Sequence, residues 1–307
     1  MARKKTVKPP RRRTWRRWLA AAMLAALLAT AGWGALNADI VRLRRASVYI
    51  PDLPRSFEGV TVLYLSDIDL CGTNTPGKSA TLVKRLQALN PDMLLLGGDY
   101  ASPSLLELLN RTDAEQYARR LAERREAFFR QIAGFQAPMG CYALAAPEDG
   151  DPAAMAALFS ECGFRDITGG AVAISKGGDR LWLAGFSGDR LASRILMEQR
   201  ESGGDCVIAL ADSPAAFPLL LTLEAPGGGA LIDMGLAGHT HAGQARLFGR
   251  TAVPLTSQER QYLYGWNRSA GIPLLTTAGL GCEAVNLRYG TQPEAWLITL
   301  TGGREAE

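Results

Sequence analysis

Histidine is nearly absent from this chain. Only His239 and His241 occur among 307 residues, two positions apart behind Gly238. Cysteine is sparse as well: Cys71, Cys141, Cys162, Cys206 and Cys282 are odd in number, and none forms a CxxC pair. That pattern argues against a disulfide framework and a structural zinc knuckle, and small buried hydrophobes are the simplest reading. Cys71 stays open because it lies two residues after Asp69. No solenoid-length repeat is visible, and no long Pro/Gly/Ser linker divides the body. Negative charge is all but missing from the first 45 residues, which carry twelve Lys/Arg against Asp39 alone, a net +11. The remainder nets −7, mildly acidic, and shows no footprint for nucleic acid.

What is present begins with a basic cluster, nine Lys/Arg between Arg3 and Arg17. An uncharged run from Trp18 to Ala38 follows, almost wholly apolar over Leu19–Leu36. About 20 such residues cross a bilayer core as a helix. Trp15 and Trp18 stand where interfacial aromatics sit, and only Arg42, Arg44 and Arg45 follow closely on the far side. The charge imbalance places the N-terminus in the cytoplasm and the body outside. We expect a basic cytoplasmic segment (1–18), a single transmembrane helix (19–38) and one domain (46–307) at the cell membrane. A cleaved signal peptide, with Ala29-Thr30-Ala31 as its small-residue site, is the rival reading, though the run is long for one. A nucleic-acid-binding arm is a second rival, but topology explains the basic residues more simply.

The body alternates short β-rich runs with helical ones. Val60–Ser66, Met93–Leu96, Cys141–Ala145, Leu181–Ala184, Cys206–Ala211, Leu231–Ala237, Pro273–Thr277 and Ala295–Leu300 read as strands. Leu82, Val83, Leu86 and Leu89 have helical spacing before Asn90-Pro91. Thr112 and Glu115 read as a capping box opening a helix with Tyr117, Leu121, Phe128 and Ile132 as its apolar stripe. Ala153–Cys162 reads as a helix closed by Gly163. Strands alternating with helices early, then mostly strands, predict an α/β fold of sheets covered by helices.

Polar residues fall at the strand ends. The first run leads into Asp67 and Asp69, the second into Asp99, the third into Pro147-Glu148-Asp149, the fifth into Asp212 and the sixth into His239 and His241. In α/β sheets that edge is where ligands bind. Any one such Asp is ordinarily a turn former or helix cap. Two histidines converging with carboxylates from four other strands point instead to a metal site.

These motifs resemble the calcineurin-like metallophosphoesterase superfamily, and within it a membrane-tethered bacterial branch. The likeness spans most of residues 50–300. Leu65–Asp69 (LSDID) resembles the family's first motif, Asp-x-His, and Gly97–Tyr100 (GGDY) its second. Met139–Asp149 takes the place of a strand ending in Gly-Asn-His-Asp, and Ala209–Pro214 that of a strand ending in His. Gly238–Gln244 (GHTHAGQ) is the most specific match; Gly265, Thr276–Gly281, Arg288 and Pro293-Glu294 follow in the branch's order. The resemblance implies two packed mixed β-sheets flanked by helices, an αββα sandwich. It also implies a two-metal site, with Asp67, Asp69, Asp99 and His241 around the first ion. Asp99 would bridge, and Asp212, His239 and the Pro147 position would complete the second.

Four positions depart from the family pattern: Asp69, Glu148 and Asp212 stand where His is usual, and Pro147 where Asn is usual. Pro147 has no side-chain donor, while Glu148 could serve as a general acid. The carboxylate-rich set favours Mn²⁺ or Mg²⁺ over Zn²⁺. Two functions follow as expectations: a membrane-tethered phosphoesterase acting on a phosphorylated small molecule or lipid-linked phosphate, or a degenerate domain that binds without turnover. The topology is directly testable. A reporter fused after Glu307 should be active only in its extracytoplasmic form; cytoplasmic activity would overturn the orientation.

Overall fold

The run Met93–Leu96 is apolar at every position, which suits a strand covered on both faces. In the computed structural model it lies inside a sheet with a hydrophobic layer on each side. The structure describes residues 12–110, 113–188, 190–191, 196, 205–247, 250–251, 254–269 and 271–302. Its strands, in chain order, are β1 (Arg42–Ile50), β2 (Thr61–Leu65), β3 (Met93–Leu96), β4 (Cys141–Ala143), β5 (Arg165–Asp166), β6 (Ala171–Lys176), β7 (Asp179–Ser187), β8 (Arg190–Leu191), β9 (Cys206–Ala211), β10 (Met234–Ala237), β11 (Arg246–Leu247), β12 (Arg250–Thr251), β13 (Gly265–Ser269), β14 (Ile272–Thr276) and β15 (Glu294–Gly302).

One sheet runs β1-β15-β2-β3-β4-β5 and the other β13-β14-β10-β9-β7-β6, with β8 paired to β7. Both are mixed. In the first, β15 is antiparallel to β2 while β2, β3, β4 and β5 run parallel. In the second, β7, β9, β10 and β14 are parallel, with β6 and β13 reversed at the edges. Alternation sorts the layers. Val62, Tyr64, Met93 and Leu95 face Leu183, Ile208, Leu210 and Leu236 between the sheets. Their neighbours Leu63, Leu65, Leu94 and Leu96 face outward, onto the helices α2 (Pro76–Leu86), α4 (Ala114–Ile132) and α5 (Pro152–Glu161), the short α3 (Leu105–Leu109) falling between α2 and α4 in the chain. The second sheet's outer face is covered by Phe217 and Leu220 of a short helix, with Leu231, Ile232 and Tyr262. This is the four-layer sandwich expected from the sequence.

The expected strands form, with shifted ends. The third stops at Ala143, the sixth begins only at Met234, and the last extends over Glu294–Gly302. The sequence reading omitted β1, which pairs in parallel with β15 over its whole length, 252 positions away at Arg42↔Glu294. Thr112, the expected cap of α4, lies outside the described residues; Asp113 is the N-cap, accepting the amides of Glu115 and Gln116 at 3.0 and 3.1 Å. Of the expected stripe, Leu121, Phe128 and Ile132 are buried and Tyr117 packs beside them. All five cysteines are free and buried, and the Cys71 thiol donates to the Cys282 carbonyl.

Helix α1 (Arg12–Asp39) precedes the body, and its span Trp15–Asp39 is long and apolar enough to cross a membrane. It is exposed from Trp15 to Trp33, and its last turns touch the body. The Arg288 amide donates to the Gly34 carbonyl at 3.0 Å, the Tyr289 hydroxyl to the Thr30 carbonyl at 2.8 Å, and both Lys78 and Asn286 reach Asp39.

Phe129 is the hub of the helical layer, in ring contact with Tyr100, Phe128, Phe159 and Phe164 at centroid distances of 4.8–5.4 Å. Phe129→Ala should cost about 3–5 kcal/mol, because surrounding rings on four sides leave a cavity that cannot collapse. Denaturant midpoints of the purified chain would show it.

Candidate metal centre

The parallel strands aim their C-terminal ends at one place, where the two sheets meet. Asp67 and Asp69 follow β2, Asp99 follows β3, Glu148 and Asp149 sit on a 3₁₀ turn after β4, Asp212 follows β9, and His239 and His241 follow β10. Five of these residues have left-handed backbone: Asp67 (φ 49°), Asp69 (45°), Asp99 (56°), His239 (73°) and His241 (49°). A non-glycine residue there is uncommon and strained, and such strain collects at functional sites.

Asp67 ties the sheets together. Its Oδ1 accepts the His239 amide at 2.9 Å and the Ser66 hydroxyl at 3.0 Å, and its own amide donates to the Gly98 carbonyl. The Leu280 and Gly281 amides reach back to the Asp67 carbonyl at 3.1 and 2.7 Å. The approach leaves no room for a side chain at Gly238, Gly279 or Gly281. A Cβ at Gly238 would stand 2.1 Å from Ser66 Oγ, and one at Gly281 would stand 2.2 Å from the Ile68 carbonyl.

Asp69, Asp99 and His241 bring ligand atoms to within 4.8 Å of one another. His241 Nε2 lies 3.5 Å from Asp69 Oδ2, and the imidazole is buried. Burial, then the Arg288 guanidinium, hold its pKa well below the usual histidine value, so it stays neutral, the form that ligates metals. Burial and mutual repulsion do the reverse to the acids. Asp69 and Asp99 are pushed well above the ordinary carboxylate range, and burial lifts Asp67 to about 6.

Asp67, Asp212 and His239 stand outside that tight group. Asp212 accepts the Ser213 amide at 2.9 Å and the Gly188 amide at 3.3 Å, and burial raises its pKa. His239 is 41% exposed and turns its Nε2 toward Glu259 Oε1 at 3.3 Å. Glu148 is exposed at the rim, where its charge is felt by Asp99 and Asp212.

Three residues of this centre carried no assigned role in the sequence reading. Asp149 is buried and accepts three amides, from Asp99 at 3.0 Å, Tyr100 at 2.9 Å and Ala146 at 2.9 Å, so it fixes the turn that presents Asp99. Its place at the end of a strand was the only signal. Arg288, fully buried, donates to the carbonyls of His241, Ala278 and Gly281. Glu259 belongs to a capping box with Thr256, a polar surface pattern that hides its contact with His239.

Asp67 Oδ2 and both carboxylate oxygens of Asp69 are buried without a hydrogen-bond partner. An unpartnered buried carboxylate is costly, and it is neutralised by a proton or by a cation. The donor set of Asp69, Asp99 and His241 fits one divalent ion, with Asp67 alongside. A second ion has a thinner set, since Pro147 offers no donor and the Asp212 oxygens already hold two amides.

No family model matches the chain, and no curated protein matches it. Among solved structures it is similar to sulfate thiohydrolase SoxB of Thermus thermophilus in complex with glycerol, at 14% identity over 81% of this chain and 57% of that one, TM-score 0.43. It is also similar to NAD nucleotidase (NadN) of Haemophilus influenzae, at 12% identity over 72% and 50%, TM-score 0.41. A third is phosphopantetheinyl hydrolase (PptH) of Mycobacterium tuberculosis, at 10% identity over 73% and 91%, TM-score 0.34. The chain spans about half the length of the first two. These likenesses are too distant to bear on the chemistry of the site.

The raised pKa values set a pH dependence for the metal-free chain. Asp67 and Asp149, both lifted to about 6 by burial, bind protons more readily folded than unfolded. Their contribution is fully present below the unfolded value of about 4 and is lost as pH rises through about 6, on the order of 3 kcal/mol for each. Urea midpoints of stripped protein should therefore respond to pH across this window, and Asp67→Asn should remove part of the response. An identical pH profile in that variant would contradict the assignment.

Proposed function

We propose that this chain is a membrane-tethered, divalent-metal-dependent phosphoesterase. The observation that carries the reading is the set of buried, unpartnered oxygens on Asp67 and Asp69 beside Asp99 and neutral His241. The family resemblance of the motifs and the strand-end placement of these residues support it. A divalent ion held there supplies Lewis-acid charge to a phosphoryl oxygen and makes a bound water a stronger acid.

The chain's own groups have distinct tasks. Asp69, Asp99 and His241 hold the ion, and Asp67 adds negative charge while it locks the His239 amide. Asp149 and Arg288 keep Asp99 and His241 in place through backbone contacts. His239, half-exposed against Glu259, stands where it can bind a phosphate oxygen. Glu148 at the rim offers a proton to the leaving group. With three carboxylates and one imidazole the ion is Mn²⁺ or Mg²⁺ in preference to Zn²⁺. In the family scheme a second ion would lie toward Asp212 and His239; the proposal rests on the first ion. The substrate is a phosphorylated small molecule or a lipid-linked phosphate, and α1 holds the body at the outer membrane face.

The test uses the full chain in detergent. Mn²⁺ at about a hundred times its Kd should stabilise wild type by about 2.7 kcal/mol, read as a rise in Tm. Asp99→Asn should abolish the rise and lower phosphodiester hydrolysis by more than about 100-fold, since even outer partners of a metal are worth 10–100-fold. A wild type that binds no divalent ion and hydrolyses nothing would leave the second reading, a binding domain on this fold.

A further inference from the structure

Where α1 meets the body, the surface opens into a cavity of about 390 Å³. Trp33 and Asn37, one turn apart on α1, form one wall. Arg42 and Arg44, alternate residues on one face of β1, form a second, and Arg246 and Tyr264 complete the lining. Arg44 is already engaged, 3.2 Å from Glu294 Oε2 and 3.3 Å from the Tyr264 hydroxyl. Arg42 and Arg246 are exposed, and neither makes a side-chain hydrogen bond or ion pair among the described residues. The cavity therefore holds two uncompensated guanidinium groups, the fork that suits a phosphate. Its size is that of a site for a small molecule or headgroup.

Depth selects the ligand. The apolar run Leu19–Leu36 spans about 27 Å as a helix, close to the hydrocarbon thickness of a bilayer. The body already touches α1 at Thr30 and Gly34, so the cavity beside Trp33 and Asn37 opens at the outer edge of the hydrocarbon. Trp33, 65% exposed, stands at the boundary favoured by indole rings. Arginines are scarce on the outer side of membrane helices, yet Arg42 and Arg44, five and seven residues after Asn37, both line this cavity, on the side of lipid phosphates.

We propose that the cavity between the end of α1, the start of β1 and Arg246 is a seat for the phosphate headgroup of an anionic membrane lipid. The proposal rests on α1 spanning the membrane and is independent of the chemistry at Asp99. The headgroup phosphate pairs with Arg42 and Arg246, and the acyl chains run back along the exposed face of α1 beside Trp33. Asn37 adds a hydrogen bond to the glycerol through its side-chain amide, while the Tyr264 hydroxyl is held by Glu294 and Arg44.

The full chain would be inserted into phosphatidylcholine nanodiscs containing a minor share of phosphatidylglycerol, and the lipids retained on the released protein counted by native mass spectrometry. Phosphatidylglycerol should be retained well above its share. Arg42→Ala and Arg246→Ala should each lower that retention about fivefold, as each removes one arginine near a charged surface. Both residues are exposed and unpaired, so the fold should survive. Arg45→Ala removes an equal charge from the opposite face of β1 and should change nothing. Retention at the share of the mixture, or equal loss with Arg45→Ala, would overturn the seat. Displacement of the lipid by soluble glycerol phosphate would assign the cavity to a free phosphate instead, and also overturn it. A chain that fails to insert ends the membrane reading and the seat together, whereas insertion without lipid preference ends the seat alone.

Discussion

The fold closes on the Asp67 carboxylate. It accepts an amide from the second sheet and a hydroxyl from the first, while its backbone is bonded to the β3 loop and to the segment before β15. Four loops from distant parts of the chain thus converge on one acidic residue that water cannot reach. That amide and that hydroxyl steady only one of its oxygens. The other is left over, as are both of Asp69, and the excess of negative charge is the price of bringing the strand ends together. A cation would relieve the repulsion and complete the structure at once, so binding and folding are coupled here by electrostatics.

The same place stores conformational strain. Five polar residues at the ends of three strands adopt left-handed backbone, held there by close packing against glycines that cannot be exchanged. Strain of this kind, about 1–3 kcal/mol at each position, survives only where the surroundings over-determine it. The surroundings are the three hydrophobic layers, which are continuous and closely packed. Rigid layers position strained ends, and the ends converge in a small volume.

Much of this is legible in the sequence. Asp67, Asp99, Asp212 and the two histidines stand out because each ends an apolar run, and the alternation of those runs with helical segments announces sheets covered by helices. What was hidden depends on long-range geometry. Strand β1 pairs with a partner more than 250 positions away, and its exposed arginines disguise it as a linker. Asp149 and Arg288 act through backbone groups of other segments, so neither leaves a spacing pattern. Glu259 reads locally as a helix cap, and nothing in its neighbours reveals that His239 reaches it. Asp113 in place of Thr112 shows the usual limit: adjacent residues of similar capping ability are separated only by where the backbone turns.

Arg288 has a consequence for anyone preparing the protein. Its amide bonds to Gly34 in α1 while its guanidinium bonds to the carbonyl of His241. Tyr289 and Asn286 hold the same helix, and Gly34 is bare because Tyr289 lies against it. Trimming the N-terminus to obtain a soluble fragment therefore does more than remove an anchor. It strips the 286–289 loop of its outer scaffold, one residue's breadth from the buried imidazole, and a fragment beginning in β1 is a different molecule at its centre as well as at its edge.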